Sequence, residues 1–275
     1  MVDIDAYFQR IGYRGTAAPT VETLRALHHL HPLAIPFENL SPVLGWPVPL
    51  DLPSLERKLI RERRGGYCYE QNTLFAAVLC QLGFQVRGLS ARVLWNSPED
   101  AITARSHMLL EVMAEGEAYL ADVGFGGLTQ TAPIRFMPGL EQETPHERFR
   151  LVQSGSYFHS QAFVKGAWKT VYRFELVEQF APDYEIANYY VSTHPDSHFR
   201  LDLLVGRPAP GCRHVLFNNR YVVHHVNGDK ESRVLDSAAE IRDVLAGPFG
   251  ISVPEAAEFE GAMARILARG ASVAQ

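Results

Sequence analysis

Apolar residues recur at helical spacing through the first third of the chain. Asp3 can cap a short helix that Gly12 closes, and Thr20 can cap a second helix that Pro32 is expected to end. Three histidines of the second helix lack a metal-binding pattern such as HExxH. They are therefore interpreted as helix-surface residues rather than metal ligands: His28, His29 and His31.

Two further helices are predicted before the pattern changes. One runs from Pro53 to Ile60, and the other follows a pair of glycines and ends at Gly83. In the latter, apolar residues repeat on one face, which is typical of an amphipathic helix: Leu74, Phe75, Val78, Leu79 and Leu82. Residues 1–83 are therefore predicted to form a helical bundle.

From Phe84 the pattern changes to short β-rich segments, with glycines at turns rather than at helix ends. Residues 84–195 are accordingly predicted to form an antiparallel β-barrel or a sandwich, with a short helix near 184–190. Strands are predicted at 84–86, 91–95, 107–112, 118–123, 157–163 and 167–176.

Two of these strands form a predicted hairpin around the loop 113–116. If those four residues are the turn, residue 112 pairs with 117 and 110 with 119, so that His107 lies directly opposite Asp122. Directly opposed residues share a sheet face at a separation of about 5 Å. Asp122 is then expected to accept a hydrogen bond from the Nδ1–H group of His107.

The last third, residues 196–275, mixes strands and helices. Strands are predicted at 199–205, 213–217 and 221–226. Ser237 and Ser252 each precede a glutamate by three residues, which is the capping-box pattern of a helix start, and Gly247 and Gly270 mark the predicted helix ends. The chain is therefore assigned to the α+β class, with an α/β unit after the bundle and the barrel.

Composition narrows the functional classes. Of the 275 residues, 47% are apolar and 21% are charged, which is ordinary for a globular protein. A formal net charge of -5 without a long basic run argues against nucleic acid as a partner. The acidic start and the lack of an apolar run near the roughly 18 residues of a membrane span argue against export and membrane insertion. A cytoplasmic protein is expected.

One cysteine occupies a position that favours reactivity. Cys68, Cys80 and Cys212 form no CxxC pair, so neither a disulfide framework nor a zinc site is favoured. Cys68 begins the helix that follows the paired glycines, where unpaired N–H groups and the helix dipole stabilise a thiolate. Arg63 and Arg64 add positive charge. An inert buried cysteine is the alternative and the usual case, but this setting favours a nucleophile.

A thiolate nucleophile needs a base and a group that orients the base. Cys68, His107 and Asp122 can fill these three roles. Taken singly, His107 is equally well explained as a strand histidine and Asp122 as a turn residue. Their predicted positions opposite each other favour the catalytic interpretation.

Four segments resemble the signature segments of the arylamine N-acetyltransferases, prokaryotic members in particular. The resemblance implies a helical bundle, a β-barrel and an α/β lid, and a catalytic triad of Cys68, His107 and Asp122. It also implies acetyl-CoA as co-substrate, an arylamine or arylhydrazine as acceptor, a Cys68 thioester between the two, and no metal. The segments are Pro36–Leu40, Arg64–Glu70, Asp122–Gly126 and Val191–Pro195.

The resemblance implies roles for further residues. Glu38 and Arg64 would form a structural ion pair, and the N–H of Tyr69 or one near Phe125 would hold the oxyanion. Ser106 would lie beside the bound substrates. The acceptor pocket, for which core packing is the alternative, would be lined by Phe37, Tyr69, Val93, Phe125 and Phe199. The coenzyme would lie near Trp95, Thr103, Gly126 and Gly127.

Other functions remain open at this point. The same triad serves thiol hydrolases and transglutaminase-like amidases, because it does not distinguish water from an amine as acceptor. A related enzyme could transfer a different acyl group or close an amide bond. A small-molecule binder without activity is disfavoured by the complete triad. Either a monomer or a homodimer fits the sequence.

Overall fold

Helices dominate the start of the computed structural model, which describes residues 1–255 and 257–273, the last three by their backbone alone. Asp3 and Thr20 cap the first two helices as predicted, since their side chains accept the Ala6 and Thr23 N–H groups at 3.0 and 3.2 Å. The elements are α1 Ile4–Ile11, α2 Val21–Ala34, β1 Phe37–Glu38, α3 Leu40–Leu44, α4 Leu52–Leu55, a π-helical segment Glu56–Arg61, and α5 Cys68–Gln81.

One predicted helix end is wrong, and one predicted helix has a different hydrogen-bond pattern. Pro32 lies inside α2, which continues to Ala34. A proline removes its own N–H bond and its ring crowds the carbonyl four residues earlier, but so close to the helix end these effects do not stop the helix. The helix predicted at 53–60 is α4 followed by the π-helical segment. There the hydrogen bonds join residues five apart instead of four, as from the Glu62 N–H to Arg57 O at 2.8 Å.

A seven-stranded antiparallel sheet follows and curls into the predicted barrel, which is nearly closed. Beyond one edge strand, Gly139 donates to Leu151 O, and Gln142 exchanges backbone hydrogen bonds with Phe149 on the other edge. The strands are β2 Gln85–Val93, β3 His107–Ala114, β4 Glu117–Ala121, β5 Ile134–Arg135, β6 Phe149–Ser154, β7 Tyr157–Val164 and β8 Ala167–Phe174, in the order β5-β4-β3-β2-β8-β7-β6. Helix α6, Ala181–Thr193, comes next.

The register predicted for the β3–β4 hairpin is wrong by two residues. Its turn contains only Glu115 and Gly116, whose φ angles of 50° and 81° are those of a tight two-residue hairpin turn. Leu110 therefore pairs with Ala121, and His107 is not directly opposite Asp122. Since side chains alternate between faces, a shift of two keeps His107 and Asp122 on the same side.

The C-terminal sheet takes its first strand from the N-terminal part of the chain, since Phe37 of β1 pairs with Gly206. The remaining elements are α7 His198–Leu201, β9 Leu204–Ala209, β10 Cys212–Phe217, β11 Arg220–His225, β12 Lys230–Val234, α8 Ala238–Ala246 and α9 Ala257–Val273. The strand order is β1-β9-β10-β11-β12, and all pairs are antiparallel. This sheet therefore joins the helical region to the C-terminal region.

The C-terminal region differs from the prediction at three places. Residues 199–205 do not form one strand: Ser197 caps α7 by accepting the Phe199 N–H at 3.3 Å, and β9 begins only at Leu204. Strand β12 was not predicted, because its residues are exposed and lack an apolar alternation. Helix α9 begins at Ala257 rather than after Ser252, and it continues past Gly270, since a glycine inside a helix costs only about 1 kcal/mol.

The apolar side chains form three clusters, one in the helical region, one inside the barrel and one between the C-terminal sheet and its helices. Leu40, Val43 and Leu44 of α3 pack in the C-terminal cluster. Ser237 caps α8 as predicted, by accepting the Glu240 N–H at 3.2 Å. No helix within the described ranges is both long and apolar enough to cross a membrane.

Candidate active site

Cys68 is the first residue of α5, as the sequence predicts. Glu70, in the same turn, accepts the Tyr67 N–H at 3.1 Å and also pairs with Lys58 Nζ at 2.6 Å. The Cys68 thiol lies 3.8 Å from the carbonyl oxygen of Ser106, just before β3. The start of the helix therefore places the thiol against the barrel strand that carries His107.

His107 is paired with Asp122 through Nε2, not through Nδ1 as predicted, and Nε2 lies 2.7 Å from the Asp122 Oδ2 atom. Cys68, His107 and Asp122 are only 4%, 3% and 0% exposed. Burial alone would lower the pKa of His107, but the Asp122 carboxylate and the Cys68 side chain outweigh it and raise the pKa to about 10. This geometry leaves Nδ1 as the ring nitrogen available to the thiol.

The Asp122 carboxylate is held by several donors. Its Oδ1 atom accepts the Asn72 side-chain amide at 3.1 Å and the Gly124 N–H at 3.0 Å, while Oδ2 faces His107. Burial would raise the pKa of Asp122, but His107 and these donors keep it below its usual value. Asp122 is therefore an anion whose position is fixed from three sides.

Asn72 is a residue of the site that the sequence analysis did not identify. Besides Asp122, it donates to Met108 O at 2.8 Å and accepts the Val123 N–H at 3.1 Å. It lies four residues after Cys68 on α5, hence on the same face of the helix as the nucleophile. That spacing is the signal that could have identified it.

Two histidines interpreted as surface residues are in fact buried, so that interpretation is wrong. His31 bonds to the Tyr7 hydroxyl at 2.8 Å through Nδ1 and to Gln71 Oε1 at 2.7 Å through Nε2. The Gln71 amide donates in turn to the Gly66 carbonyl at 3.1 Å, beside the nucleophile. His28 accepts the Asp122 backbone N–H at 3.0 Å. His31 thus supports, through Gln71, the backbone just before Cys68, and His28 supports the backbone at Asp122.

The turn after Asp122 requires glycine because it lies against α5. A Cβ atom on Gly124 would come within 2.8 Å of Cys68 Cα and within 2.9 Å of the Asn72 side-chain nitrogen. Gly126 has a φ of 98°, which other residues rarely adopt, and a Cβ there would lie 3.3 Å from the Phe37 ring. The two glycines thus allow the turn to fit between the nucleophile and Phe37.

Glu38 and Arg64 form a buried ion pair, with Arg64 Nε and Nη2 at 3.0 and 2.7 Å from Glu38 Oε1. The other oxygen of Glu38 accepts the Leu40 N–H at 2.6 Å. Burial would raise the pKa of Glu38, but Arg64 and Lys58 hold it below its usual value. The charge of Arg64 is thus balanced by Glu38 rather than directed only at Cys68.

Two aromatic rings pack against the imidazole of His107. Phe125 meets the imidazole edge-on at 5.3 Å between ring centres, and Tyr172 lies 5.0 Å from it. Tyr172 was not predicted as a site residue. Val93 is its register partner on β2 and so shares its face of the sheet. These residues form an apolar wall beside the imidazole.

A second group of rings stands near the start of α5. Tyr67 contacts Phe199 and Tyr69, with ring centres at 5.3 and 6.0 Å, and Phe37 lies 6.3 Å from Phe199. The Tyr69 hydroxyl is buried without a hydrogen-bond partner in the part of the chain that the structure describes. The predicted pocket residues Phe37, Tyr69 and Phe199 are thus brought together around Tyr67.

The residues predicted near the coenzyme are less closely grouped. The Trp95 N–H donates to Val171 O at 3.0 Å, and the Thr103 hydroxyl donates to Val93 O at 3.0 Å, both at the barrel rim. The Gly126 N–H already donates to the Thr129 hydroxyl at 2.7 Å, and the Gly127 nitrogen would lie 2.8 Å from a Cβ on Gly206. These four roles stay predictions.

Comparisons with known proteins agree with this arrangement. A family model described as N-acetyltransferase matches residues 20–258. Arylamine N-acetyltransferase of Escherichia coli (strain K12) is 44% identical over 92% of this chain and 90% of its own length. The structure of Mycobacterium marinum arylamine N-acetyltransferase superposes with a TM-score of 0.93 at 40% identity, covering 96% of this chain and 100% of that one.

A second Mycobacterium marinum structure, described as a complex with CoA, superposes with a TM-score of 0.92 at 39% identity and covers 96% of this chain and 99% of that one. Both the sequence and the fold are thus matched along nearly the whole length of these bacterial relatives. The chain belongs to the arylamine N-acetyltransferases, a family of acyltransferase enzymes.

Proposed function

We propose that this protein transfers an acetyl group from acetyl-CoA to arylamines, arylhydrazines and related amines through a thioester on Cys68. The observation that carries the proposal is the buried Cys68–His107–Asp122 arrangement in a chain of this family. The CoA complex of the Mycobacterium marinum relative supports the choice of donor. The matched relatives are named for arylamine acetylation, which supports the choice of acceptor.

In the first half-reaction, the Cys68 thiolate attacks the acetyl carbonyl carbon and a new C–S bond forms. The bond to the sulfur of CoA breaks, and His107 donates its proton to that sulfur. Asp122 keeps the imidazole oriented and stabilises its cationic form through the 2.7 Å contact. One thioester replaces another, so the protein contributes mainly positioning and electrostatic stabilisation.

In the second half-reaction, the amine nitrogen attacks the acetyl carbon on Cys68 and the C–S bond breaks. His107 accepts the proton that the amine loses, so the thiolate–imidazolium pair is restored. The Tyr69 N–H has no intrahelical acceptor because it lies in the first turn of α5, and it can stabilise the oxyanion in both steps. The burial of all three triad residues limits hydrolysis of the thioester by water.

The acceptor is proposed to bind between the two groups of aromatic rings. Phe125 beside His107 and the rings of Phe37, Tyr69 and Phe199 offer flat apolar surfaces suited to an aromatic amine, with Val93 on the barrel side. Ser106 would lie beside the acetyl group, since its carbonyl approaches the Cys68 thiol. The coenzyme is proposed to extend past Trp95, Thr103, Gly126 and Gly127.

The division of the chain into three parts is also proposed. We keep the limits 1–83, 84–195 and 196–275 for the bundle, the barrel and the lid, and Glu38–Arg64 as a structural pair. A cytoplasmic monomer or homodimer fits these proposals.

Steady-state kinetics test the proposal. We expect CoA release to require an arylamine or arylhydrazine and to give parallel double-reciprocal lines, the pattern of a ping-pong reaction. Cys68→Ser should abolish transfer, whereas Cys80→Ser and Cys212→Ser should retain it, because those two thiols lie outside the site. Intersecting lines, or equal loss of activity in Cys212→Ser, would contradict a single Cys68 intermediate.

A further inference from the structure

His28 is a buried side chain that the proposed chemistry does not use. It lies on α2, is fully buried, and packs edge-on against Phe75 with ring centres 5.8 Å apart. Its Nε2 atom lies 3.0 Å from the backbone nitrogen of Asp122. No other side chain of the described residues bonds to that nitrogen. Helix α2 therefore contacts the triad directly, through the main chain of Asp122.

The donor in this contact fixes the protonation state of His28. A backbone N–H can only donate, so Nε2 must be unprotonated and the ring proton must lie on Nδ1. The Nδ1 atom is buried and has no hydrogen-bond partner within the described part of the chain. Burial outweighs the opposing effect of Asp122 and lowers the pKa of His28 to about 3. The imidazole is thus neutral and acts as an acceptor.

Three contacts hold the backbone from Asp122 to Gly124, and each fixes a different residue. His28 holds the N–H of Asp122, Asn72 holds the N–H of Val123, and the Asp122 carboxylate holds the N–H of Gly124. The contact from His28 is the one that comes from α2, whereas Asn72 comes from the nucleophile helix. Without an acceptor at position 28, the Asp122 N–H would be buried and unsatisfied, a state that proteins avoid.

We propose that His28 is a positioning residue, whose neutral Nε2 atom fixes the Asp122 main chain and thereby the carboxylate that orients His107. His28 touches neither substrate nor thiol in this arrangement and acts only through Asp122. The catalytic meaning of the inference rests on the proposed function. The structural part of the inference is that His28 affects how readily Cys68 is present as a thiolate beside His107. It can be measured without any acetyl transfer.

The test compares two side chains that differ only in reach. In His28→Gln the amide oxygen can occupy the place of Nε2, whereas the side chain of His28→Asn is one methylene shorter and cannot reach the Asp122 N–H. Alkylation of Cys68 by iodoacetamide, followed by intact mass against pH, reports the thiolate without any coenzyme. We expect His28→Asn to move the alkylation midpoint upward by about one pH unit, so that alkylation slows about tenfold at pH values well below the wild-type midpoint. His28→Gln should stay near the wild type.

Leu24→Ala is the control for general loss of stability, since Leu24 is fully buried on the same helix and its side chain has no group that could accept the Asp122 N–H. It should lower the unfolding midpoint and leave the alkylation profile unchanged. His28→Leu, which also lacks the acceptor, replaces His28→Asn if the latter does not fold. A wild-type profile in either acceptor-free variant, a shift of the same size in Leu24→Ala, or no recovery in His28→Gln would overturn the inference.

Kinetics with acetyl-CoA and an arylamine then separate the two proposals. If His28 positions the triad, kcat should fall in His28→Asn while KM for the amine changes little, with recovery in His28→Gln. If the wild type transfers no acetyl group but the alkylation profiles differ as expected, the positioning role stands and the proposed function fails. If the wild type transfers acetyl and the profiles coincide, the function stands and the positioning role fails.

Discussion

His107 has two kinds of neighbour: a polar side, whose groups hydrogen-bond to its partner Asp122, and an aromatic side, whose rings pack against the imidazole. The polar side fixes Asp122 through Asn72, Gly124 and the buried His28. On the aromatic side, the Phe125 and Tyr172 rings lie 5.3 and 5.0 Å from the imidazole, and the Tyr172 hydroxyl also approaches Asp122. Hydrogen bonds restrict direction and distance closely, whereas ring contacts tolerate small shifts.

The difference indicates a division of labour. Changes on the polar side should affect the reaction with every acceptor, because the triad serves both half-reactions. Changes on the aromatic side should alter the choice among acceptors while leaving the acetylation of Cys68 nearly intact. Four substitutions or pH changes, from the largest expected effect to the smallest, test whether the polar and aromatic sides act in this way.

Asp122→Asn should have the largest effect. The Asn72 and Gly124 donors will hold the new carbonyl oxygen, which turns the new amide nitrogen towards His107 Nε2. The imidazole must then carry its proton on Nδ1, where it cannot accept the thiol proton, and kcat should fall about 10³- to 10⁴-fold with every acceptor. Near-normal turnover in a folded variant would remove Asp122 from the triad.

Arg64→Ala should mainly reduce stability. Truncation leaves the Glu38 carboxylate buried without its partner, and breaking a buried pair in this way costs about 3 to 5 kcal/mol. Soluble yield and the unfolding midpoint should fall, while the rate per folded molecule changes much less. Arg57→Ala is a matched control, since that arginine faces Glu62 on the surface. A stable but inactive Arg64→Ala protein would assign Arg64 a catalytic role instead.

The His107–Asp122 pair should make stability depend on pH in the alkaline range. The folded pKa of His107, about 10, lies above its unfolded value, so the stabilisation is complete below about pH 6.5 and is lost as pH rises through 10. The unfolding free-energy difference between the wild type and His107→Gln should shrink by roughly 3 kcal/mol between pH 7 and pH 10. Urea titrations measure it, and a constant difference would contradict the assigned pKa.

Phe125→Leu should have the smallest effect and the most selective one. It keeps an apolar side chain but removes a flat ring contact, which is worth about 1 kcal/mol. KM should rise severalfold for aromatic amines and little for small hydrazines, with acetylation of Cys68 unchanged. A uniform fall in kcat across acceptors would mean that Phe125 supports the triad, and the division of labour would be wrong.

The sequence predicted those parts of the fold and the site that depend on local rules. The cap at Asp3, the helix start at Cys68 and the strands of the β3–β4 and β7–β8 hairpins follow from capping residues, glycines and alternation, and these were confirmed. Strands β5 and β6 were not predicted, and the two strands predicted at 84–86 and 91–95 are the single strand β2. The hairpin register was missed because Glu115 adopts a left-handed conformation that its residue type does not favour. A turn with fewer residues shifted the pairing by two positions.

Burial of polar side chains was harder to predict. His28 and His31 were interpreted as surface residues because a histidine on a helix gives no local sign of what packs against it. Their partners, Asp122 and Gln71, are 94 and 40 residues away in the chain. Strand β12 was not predicted because all of its residues are exposed. It pairs with β11 through its backbone, so its sequence needs no apolar alternation.

The mass of the intact protein after mixing with acetyl-CoA tests the central claim most directly. We expect the protein to gain one acetyl group, located on Cys68 by peptide mapping, and to lose it when an arylamine is added, with formation of the N-acetyl product. Cys68→Ser should gain no such labile group. If the wild type gains no acetyl mass while CoA release still depends on the amine, transfer does not pass through Cys68 and the account is wrong.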